Sequence, residues 1–383
     1  MSFYGYPRSD GSVGIRNYVG IIATVGCSSD VAQDISNQIE GTVPFLHYQG
    51  CAHLQPDTKL VERTLSNLGQ NPNLAAVLLV SLGCESVDVD SILNNIAISG
   101  KPVAKLVIQE IGTISTIAEG SRIARQMVSD VSRIKRETFD DSNLIFGCEC
   151  GGSDATSGLV SNPVIGAACD RLIENNGSVV FSETTEFIGA EHLLAKRAES
   201  PEVKQRILHI VDRYEKLISS WGADMRGGNP SRGNIKGGLT TIEEKSLGAI
   251  SKGGSKPIKQ VYEYGERIKG KGLFIVDGPG LDYKSMTALA AAGAQVILFS
   301  TGRGSPIGFP FVPVVKITAN PVAYEHMREN MDVYINIDEF ENAETEGQLL
   351  YDEVVEIASG KLTKAEVLGI THFGGIYTFG PIL

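Results

Sequence analysis

Four short segments in the first half of the chain gather reactive side chains beside glycine. They combine thiol, imidazole and carboxylate groups, and they cover residues 47–53, 83–85, 147–154 and 182–186. Cysteine thiolates are soft ligands that select iron or zinc. Cys51, Cys84 and Cys150 each stand in a different segment. Together they predict a metal site that leaves coordination open for a substrate.

Each reactive segment follows a short apolar stretch that is expected to be a β-strand. The stretches are β-branched, apolar on both faces and separated by amphipathic helices; they cover residues 17–25, 43–48, 75–82, 102–108, 143–147 and 178–182. Strands of this kind are typical of parallel sheets buried under helices. Since ligands bind at the carboxyl ends of such strands, the four segments are expected to share one rim.

The same alternation predicts the fold class and the organisation of the chain. We expect an α/β protein in which a doubly wound, mostly parallel sheet domain precedes a smaller Rossmann-like α/β domain. The first domain is predicted over residues 1–221 and the second over 271–383. Residues 222–270 interrupt the alternation with Gly, Asn and Lys, and they are predicted to be an active-site segment; a flexible linker is the alternative.

Two further residues extend the predicted metal site. His47 offers imidazole and Glu85 offers carboxylate as alternative ligands. The simpler interpretation is that the cysteines are small apolar residues at sheet ends, as free cysteines often are. Cys27 and Cys169 are assigned to packing on this ground.

The second half of the chain carries residues suited to gripping a small anion. Asn229, Asn234 and Lys236 lie in a Gly-rich stretch, and Arg303 follows a predicted strand in the sequence Thr-Gly-Arg-Gly-Ser. Cations, amides and bare backbone bind anions through charge-assisted hydrogen bonds. Asp277 ends a neighbouring predicted strand. A cleft between two α/β domains is therefore the predicted binding site.

Composition excludes several classes of protein. The 383 residues are 42% hydrophobic and 21% charged, with a formal net charge of −11. A net negative chain repels nucleic acid, and the absence of long apolar windows argues against a membrane span. The N-terminal sequence lacks the features of a signal peptide, so we expect a cytoplasmic protein whose cysteines do not form a disulfide framework.

Several motifs, taken in order along the chain, resemble the galactarate/altronate dehydratase family of hydro-lyases. They are the opening Gly5-Tyr-Pro-Arg8 with Arg16-Asn-Tyr18, then Gly83-Cys-Glu85, Cys150-Gly-Gly-Ser-Asp154, Ser182-Glu-Thr184, Asn229-Pro-Ser231 with the following Gly-Gly-Leu-Thr-Thr-Ile-Glu-Glu-Lys245-Ser, and Arg303 with its neighbours. The match runs from about residue 5 to the last turns of the chain.

The resemblance implies a β-elimination assisted by iron. A proton leaves C2 of a 2-hydroxy acid, hydroxide or sulfite leaves C3, and the resulting enol becomes a 2-keto acid. A metal stabilises the charge that develops on the substrate. The cofactor is expected to be Fe²⁺, either a single ion or an iron–sulfur cluster, held by the predicted metal ligands.

Residue roles follow from the same resemblance. His47 is the expected base, with Glu183 and Lys236 as competitors. Lys236 and Arg303 are expected to anchor the carboxylate of a small anionic hydroxy acid. Arg16 and Asn234 are expected to support the substrate, together with Asn229 and Asp277.

Partners and alternative functions also follow. Sugar-acid dehydratases of the family carry a small β-rich N-terminal domain, so we expect a separate small subunit; nucleic acid and membrane partners are not expected. The related sulfolactate sulfo-lyase is divided in the same way, which leaves a carbon–sulfur lyase as the alternative to a hydro-lyase. An apolar tail near residue 379 favours a homo-oligomer. A zinc-dependent hydrolase and a non-catalytic sugar-acid sensor are further alternatives.

Overall fold

The computed structural model describes residues 1–371 and 374–380, and it is an α/β protein with two parallel sheets. The strands are β1 (Ser2–Pro7), β2 (Val13–Gly14), β3 (Tyr18–Ala23), β4 (Thr42–Phe45), β5 (Leu74–Ser81), β6 (Val103–Val107), β7 (Glu137–Asp140), β8 (Ile145–Cys150), β9 (Ser178–Phe181), β10 (Ile258–Tyr262), β11 (Gly272–Val276), β12 (Val296–Ser300), β13 (Val314–Thr318) and β14 (Val333–Tyr334). The helices are α1 (Ser29–Asn37), α2 (Asp57–Gly69), α3 (Val89–Ala97), α4 (Ile108–Ile111), α5 (Thr113–Val131), α6 (Asn162–Glu174), α7 (Glu191–Lys196), α8 (Pro201–Ser220), α9 (Arg232–Lys236), α10 (Ile242–Ile250), α11 (Asp282–Ala292), α12 (Pro321–His326), α13 (Ala343–Ala358) and α14 (Lys364–Val367). The predicted α/β class with parallel sheets is confirmed.

The first sheet has four parallel strands in the order β4-β3-β5-β6. Successive side chains of a strand point to opposite faces of a sheet. In this sheet the side chains on both faces are apolar. Ile21 of β3 packs into a core with α1 and α5, whereas Ile22 packs into another core with α2, α3 and α11. Both faces are therefore covered by helices, as a parallel sheet requires.

The second sheet has seven parallel strands in the order β10-β11-β9-β8-β12-β13-β14. Val179 of β9 packs into a core with α6, α8 and α13, and the next residue, Val180, packs with α11 on the other face. The core on that second face also contains residues of the four-stranded sheet, so a single apolar layer joins the two sheets.

The strands are grouped differently from the two predicted domains. Strands β8 and β9 lie within residues 1–221, yet they pair with β12 and β11 from beyond residue 271. A small antiparallel sheet, β2-β1-β7, was not anticipated from the sequence. Pairing between distant strands depends on tertiary packing, which the local pattern does not record.

The Gly-rich residues 222–270 are largely ordered. They contain α9, α10 and β10, and β10 is an edge strand of the seven-stranded sheet. Ser231 and Thr241 cap α9 and α10 by accepting hydrogen bonds from backbone amides of the first turn. Among the described residues, none of the helices combines the length and the apolar character that a membrane crossing needs.

Candidate active site

A cleft of about 530 Å³ opens at the carboxyl ends of β8, β9 and β11. The Gly-rich segment borders it, and the start of α11 forms another part of its wall. Its lining includes Cys150, Glu186, Asn229, Asn234, Lys245 and Asp282. The volume lies in the range of small-molecule sites.

Three side chains with atoms able to ligate a metal ion converge at the base of this cleft. Cys150 is the last residue of β8, and Glu183 and Glu186 follow β9. One ligand atom from each lies within 4.8 Å of the others, and all three residues are buried. The Cys150 amide donates to Glu183 Oε2 at 3.0 Å, and the Cys150 thiol donates to Glu186 Oε2 at 3.0 Å.

Glu183 has a strained backbone that directs this arrangement. Its φ of 74° and ψ of 55° lie in the left-handed region, which side-chain-bearing residues rarely adopt. The chain then forms a 3₁₀ turn over Thr184–Glu186. Asp277 holds that turn, because its Oδ1 accepts from the Thr184 hydroxyl at 2.5 Å. Strain of this kind is concentrated at functional sites.

Two lysines supply positive charge to the cluster. Lys252 is fully buried and pairs with Glu183, and its Nζ lies 2.8 Å from the Cys150 Sγ. Lys245 donates to Glu186 Oε1 at 2.6 Å and to Asn229 Oδ1 at 3.1 Å. Both lysines come from α10 and the 3₁₀ turn that follows it. Buried carboxylates of this kind need such partners to remain charged.

Burial and charge shift the acid–base properties of the site. Burial raises the pKa of Glu183 to about 7, although the ammonium of Lys252 acts against this change. Burial also raises the pKa of Asp282 to about 6. Burial opposes ionisation of Glu186, but Lys245 and Lys252 outweigh it and lower the pKa of that carboxyl. The cleft thus holds carboxyl groups suited to proton transfer near neutral pH.

The donor set fits a divalent metal ion. Glu183 Oε1 is buried and, among the described residues, has no hydrogen-bond partner. A carboxylate oxygen only accepts, so a cation is the natural partner for it. One thiolate and two carboxylates would leave coordination positions free on the side of the cleft.

The sequence-predicted residues are divided between this cleft and other parts of the fold. Cys150, Asn229 and Asn234 line the cleft, and Glu183 lies beneath its surface. Asn234 Nδ2 donates to the backbone carbonyl of Ser153 at 2.9 Å, which ties α9 to the end of β8.

The two predicted anchoring cations are exposed beside the cleft. Lys236 is the last residue of α9, the helix that carries Asn234. The Arg303 amide donates to the carbonyl of Gly152, a cleft residue, at 3.1 Å. Asp277 lies behind the cleft, where it pairs with Arg213.

Arg16 lies in a different environment. It is buried, and its guanidinium pairs with Glu366 at 2.7 Å and donates to the carbonyls of Ile15, Ile357 and Lys361. These contacts join the start of β3 to the end of α13 and to α14.

The other predicted metal ligands belong to the four-stranded sheet. Cys51 and Cys84 are exposed, and Glu85 accepts from Thr24, Ser81 and the Gly83 amide. His47 is buried with both ring nitrogens bonded to backbone: Nε2 to the Ala23 carbonyl at 2.8 Å and Nδ1 to the Gln49 amide at 3.1 Å. Burial lowers the pKa of His47 to about 4. The structure does not bring these residues into the Cys150 group.

The sequence assigns both Cys27 and Cys169 to packing. Cys169 is buried beside Cys148, at an Sγ–Sγ separation of 3.3 Å, which confirms the assignment for that residue. Cys27 is exposed, so the assignment is wrong for it. It follows β3 in a turn where a Cβ on the preceding Gly26 would lie 3.2 Å from the Tyr48 backbone.

Sequence reasoning missed four residues of the site. Glu186 lies in the reactive segment 182–186, and Lys245 lies in the motif that begins at Asn229. Their place in these motifs was the signal that could have identified them. Asp282 is the first residue of α11, and the sequence of that helix gives no sign of a functional residue. Lys252 stands in Ser-Lys-Gly-Gly, which looks like a solvated loop and gives no sign of burial.

Two family models match most of the chain. Residues 141–379 match the family model described as D-galactarate/altronate dehydratase, C-terminal. Residues 5–132 match the model described as D-galactarate dehydratase/altronate hydrolase, second domain. The first match contains the seven-stranded sheet and the second contains the four-stranded sheet.

Curated relatives cover almost all of the chain. The (2R)-sulfolactate sulfo-lyase subunit beta of Chromohalobacter salexigens is 38% identical over 97% of this chain and 96% of its own length. The altronate dehydratase of Escherichia coli is 35% identical over 94% of this chain and 74% of its own length. The galactarate dehydratase of the same organism is 34% identical over 100% of this chain and 77% of its own length. These matches confirm the resemblance found in the motifs, and the chain belongs to the D-galactarate/altronate dehydratase family of lyases.

Proposed function

We propose that this chain removes water from a sugar acid, of the altronate or galactarate type, by metal-assisted β-elimination to a 2-keto-3-deoxy acid. The observation that carries the proposal is the cleft that Asp282 lines together with Cys150 and Glu186, two members of the buried group that Glu183 completes. Its similarity to altronate and galactarate dehydratases of the same family supports it.

Asp282 is the proposed base. It lines the cleft, and its raised pKa makes it a stronger base than an ordinary aspartate while it stays mostly ionised at neutral pH. It would take the proton from C2. The C2–C3 double bond then forms as the C3–O bond breaks, and hydroxide leaves as water after gaining a proton. His47 is less suited to this role, since both of its ring nitrogens are engaged by backbone.

The protein holds the substrate and controls the charge around it. Asn229 offers an amide group in the cleft, and Asn234 braces the cleft wall by donating to the Ser153 carbonyl. Lys236 and Arg303 are exposed and supply the positive charge proposed to attract the substrate. Lys245 fixes Glu186 and Asn229. Lys252 offsets the negative charge of Glu183 beneath the cleft. Preorganised charges of this kind stabilise a developing anion without reorganisation during the reaction.

The metal is proposed to be Fe²⁺, held by Cys150, Glu183 and Glu186. When bound there, it supplies Lewis-acid stabilisation of the charge on substrate oxygens. Cys150 would lose its proton on binding, because metal ligation requires the thiolate.

Sulfite is the second candidate for the leaving group. The match covers 96% of the length of the sulfo-lyase subunit and 74% and 77% of the altronate and galactarate dehydratases of Escherichia coli. The relative's name also describes a subunit, which supports a separate small subunit as partner. We further propose a homo-oligomer, which light scattering of the purified chain would detect as a mass above one chain.

The test is the rate of 2-keto acid formation from altronate and galactarate by the iron-loaded wild type and by Asp282→Asn. Loss of a positioned base is expected to lower the rate by about 10²- to 10⁴-fold. Asp338→Asn, an exposed change away from the cleft lining, is the matched control and should keep the wild-type rate. An Asp282→Asn protein as fast as the wild type would refute the proposed base.

A further inference from the structure

The turn that carries Glu183 and Glu186 is bonded to a second loop behind the cleft. That loop covers residues 277–280 and directly follows β11, whereas the turn lies just after β9. Strands β9 and β11 are parallel neighbours, so their carboxyl ends meet at one edge of the sheet. Contacts between the loop and the turn therefore help to decide where the two carboxylates lie.

Thr184 makes three hydrogen bonds to this loop. Its hydroxyl donates to Asp277 Oδ1 at 2.5 Å and accepts from the Gly278 amide at 3.2 Å. Its own amide donates to the Gly278 carbonyl at 2.9 Å. A hydroxyl that both donates and accepts has a fixed orientation. Thr184 and Asp277 are also buried, so the bonds between them are formed away from water.

Thr185 adds a further bond, and the loop approaches the turn closely. The Gly280 amide donates to the Thr185 hydroxyl at 3.1 Å. A Cβ on Gly280 would lie 2.8 Å from that hydroxyl oxygen, and one on Gly278 would lie 2.6 Å from Ser182 Oγ. Glycine at these two positions is what allows so close an approach. The name turn clamp is used below for Thr184, Thr185, Asp277, Gly278 and Gly280.

A cation on α8 holds Asp277 from the other side. Asp277 Oδ2 pairs with the guanidinium of Arg213, which also pairs with Glu263 at 3.0 Å. A buried carboxylate without a partner is costly, so Arg213 allows Asp277 to carry the charge that accepts from Thr184. Among the described residues that line the cleft, neither Thr184 nor Asp277 occurs. Both are therefore placed to act on the ligand groups of the cleft and not on a substrate.

The turn clamp accounts for the left-handed backbone of Glu183. A strained conformation persists only where the surrounding structure fixes it. Thr184 directly follows Glu183, and its three bonds to the loop fix the chain at that point. The Glu186 amide donates to the Glu183 carbonyl at 2.7 Å, which sets the second carboxylate relative to the first.

We propose that Thr184 and Asp277 are positioning residues that hold the carboxylates of the turn in the geometry that binds the metal ion. This role rests on the metal group of the proposed function, and it assigns Asp277 to the support of that group and not to contact with the substrate. Replacing a residue that orients a metal ligand typically weakens metal binding about 10- to 100-fold. Loss of the Thr184 hydroxyl is expected to have an effect of this size.

The test is anaerobic titration of the full chain with Co²⁺, which stands beside Fe²⁺ in the order of metal affinities. Equilibrium dialysis gives the Kd, and the charge-transfer absorption of cobalt bound to a thiolate reports the site. Cys150→Ala should abolish that absorption. Thr184→Val keeps the shape of the side chain without its hydroxyl and should raise the Kd about 10- to 100-fold. Asp277→Asn should raise the Kd as well, whereas Thr184→Ser keeps the hydroxyl and should bind Co²⁺ as the wild type does.

Thr116→Val is the matched control. The Thr116 hydroxyl is also buried, and it donates to the Gly112 carbonyl at 2.8 Å in α5, a helix that packs on the four-stranded sheet. This variant should keep the wild-type Kd for Co²⁺.

A role in folding alone would lower the urea midpoint of Thr184→Val and leave its Kd and its absorption unchanged, and that result would overturn the proposal. So would a Thr184→Ser protein that binds Co²⁺ as weakly as Thr184→Val. Wild-type protein that binds no Co²⁺, or whose absorption survives in Cys150→Ala, would overturn both this role and the proposed metal site. The expected losses of affinity in a chain that dehydrates no sugar acid would overturn the proposed activity and support the positioning role.

Discussion

Replacement of Lys252 by Met tests the charge balance beneath the cleft. The Lys252 side chain is fully buried, as is that of its partner Glu183. Removing one member of a buried ion pair leaves an uncompensated charge and costs about 3–5 kcal/mol. We expect a loss near the lower end, about 3 kcal/mol, because Glu183 can take up a proton and become neutral.

The loss should depend on pH. Lys252 lowers the pKa of Glu183, so its removal raises that pKa further above the unfolded value. A carboxyl whose pKa is raised in the folded state binds more protons there than in the unfolded state, and stability falls as pH rises. The deficit of Lys252→Met should therefore be larger at about pH 8 than at about pH 5.

Urea unfolding of the wild type and three variants measures the effect. Lys256→Met is the matched control, since Lys256 pairs with Glu174 on the surface and should cost about 0–1 kcal/mol. The double variant Lys252→Met with Glu183→Gln should recover part of the loss, because no lone carboxyl remains. Equal losses in Lys252→Met and Lys256→Met, or a deficit that does not change with pH, would refute the reasoning.

Three further predictions concern the cleft and the fold. The kcat/KM of the wild type should rise with pH through about 6, because Asp282 accepts a proton only when ionised; a profile that is flat between pH 5 and 7, or that falls there, would remove it as the base. Arg303→Ala should raise KM with little change in kcat, and should lower kcat/KM about 10-fold or more through loss of a charged hydrogen bond. An unchanged KM would exclude that contact. Arg16→Met should lower the free energy of unfolding by about 3–5 kcal/mol in urea, since Glu366 would be left buried without its partner. A loss within the error of the measurement would show that this pair is not a structural tie.

The sequence predicted the α/β class and the positions of reactive residues after strands, because both depend on local pattern. It could not assign those strands to two sheets. The sequence therefore places Cys51 and Cys84 on one rim with Cys150, whereas in the structure β8 pairs with β9 and β12 and not with β5.

Burial was the second feature that the sequence did not reveal. Lys252 is surrounded by glycine and serine in the sequence, but it is the counter-charge of Glu183 in the fold. His47 follows a strand, the position expected of a catalytic base, yet tertiary packing buries it and backbone groups bond both of its ring nitrogens. Such contacts arise between distant segments, so spacing along the chain carries no record of them.

The most direct test of the elimination is an anaerobic assay of the iron-loaded chain, alone and with a candidate small subunit, on altronate, galactarate and sulfolactate. The 2-keto acid and free sulfite would both be measured. We predict 2-keto acid from a sugar acid without sulfite; sulfite from sulfolactate would instead favour the second candidate for the leaving group. Folded, iron-loaded protein that forms neither product from any of the three substrates, with or without the small subunit, would contradict the proposed activity.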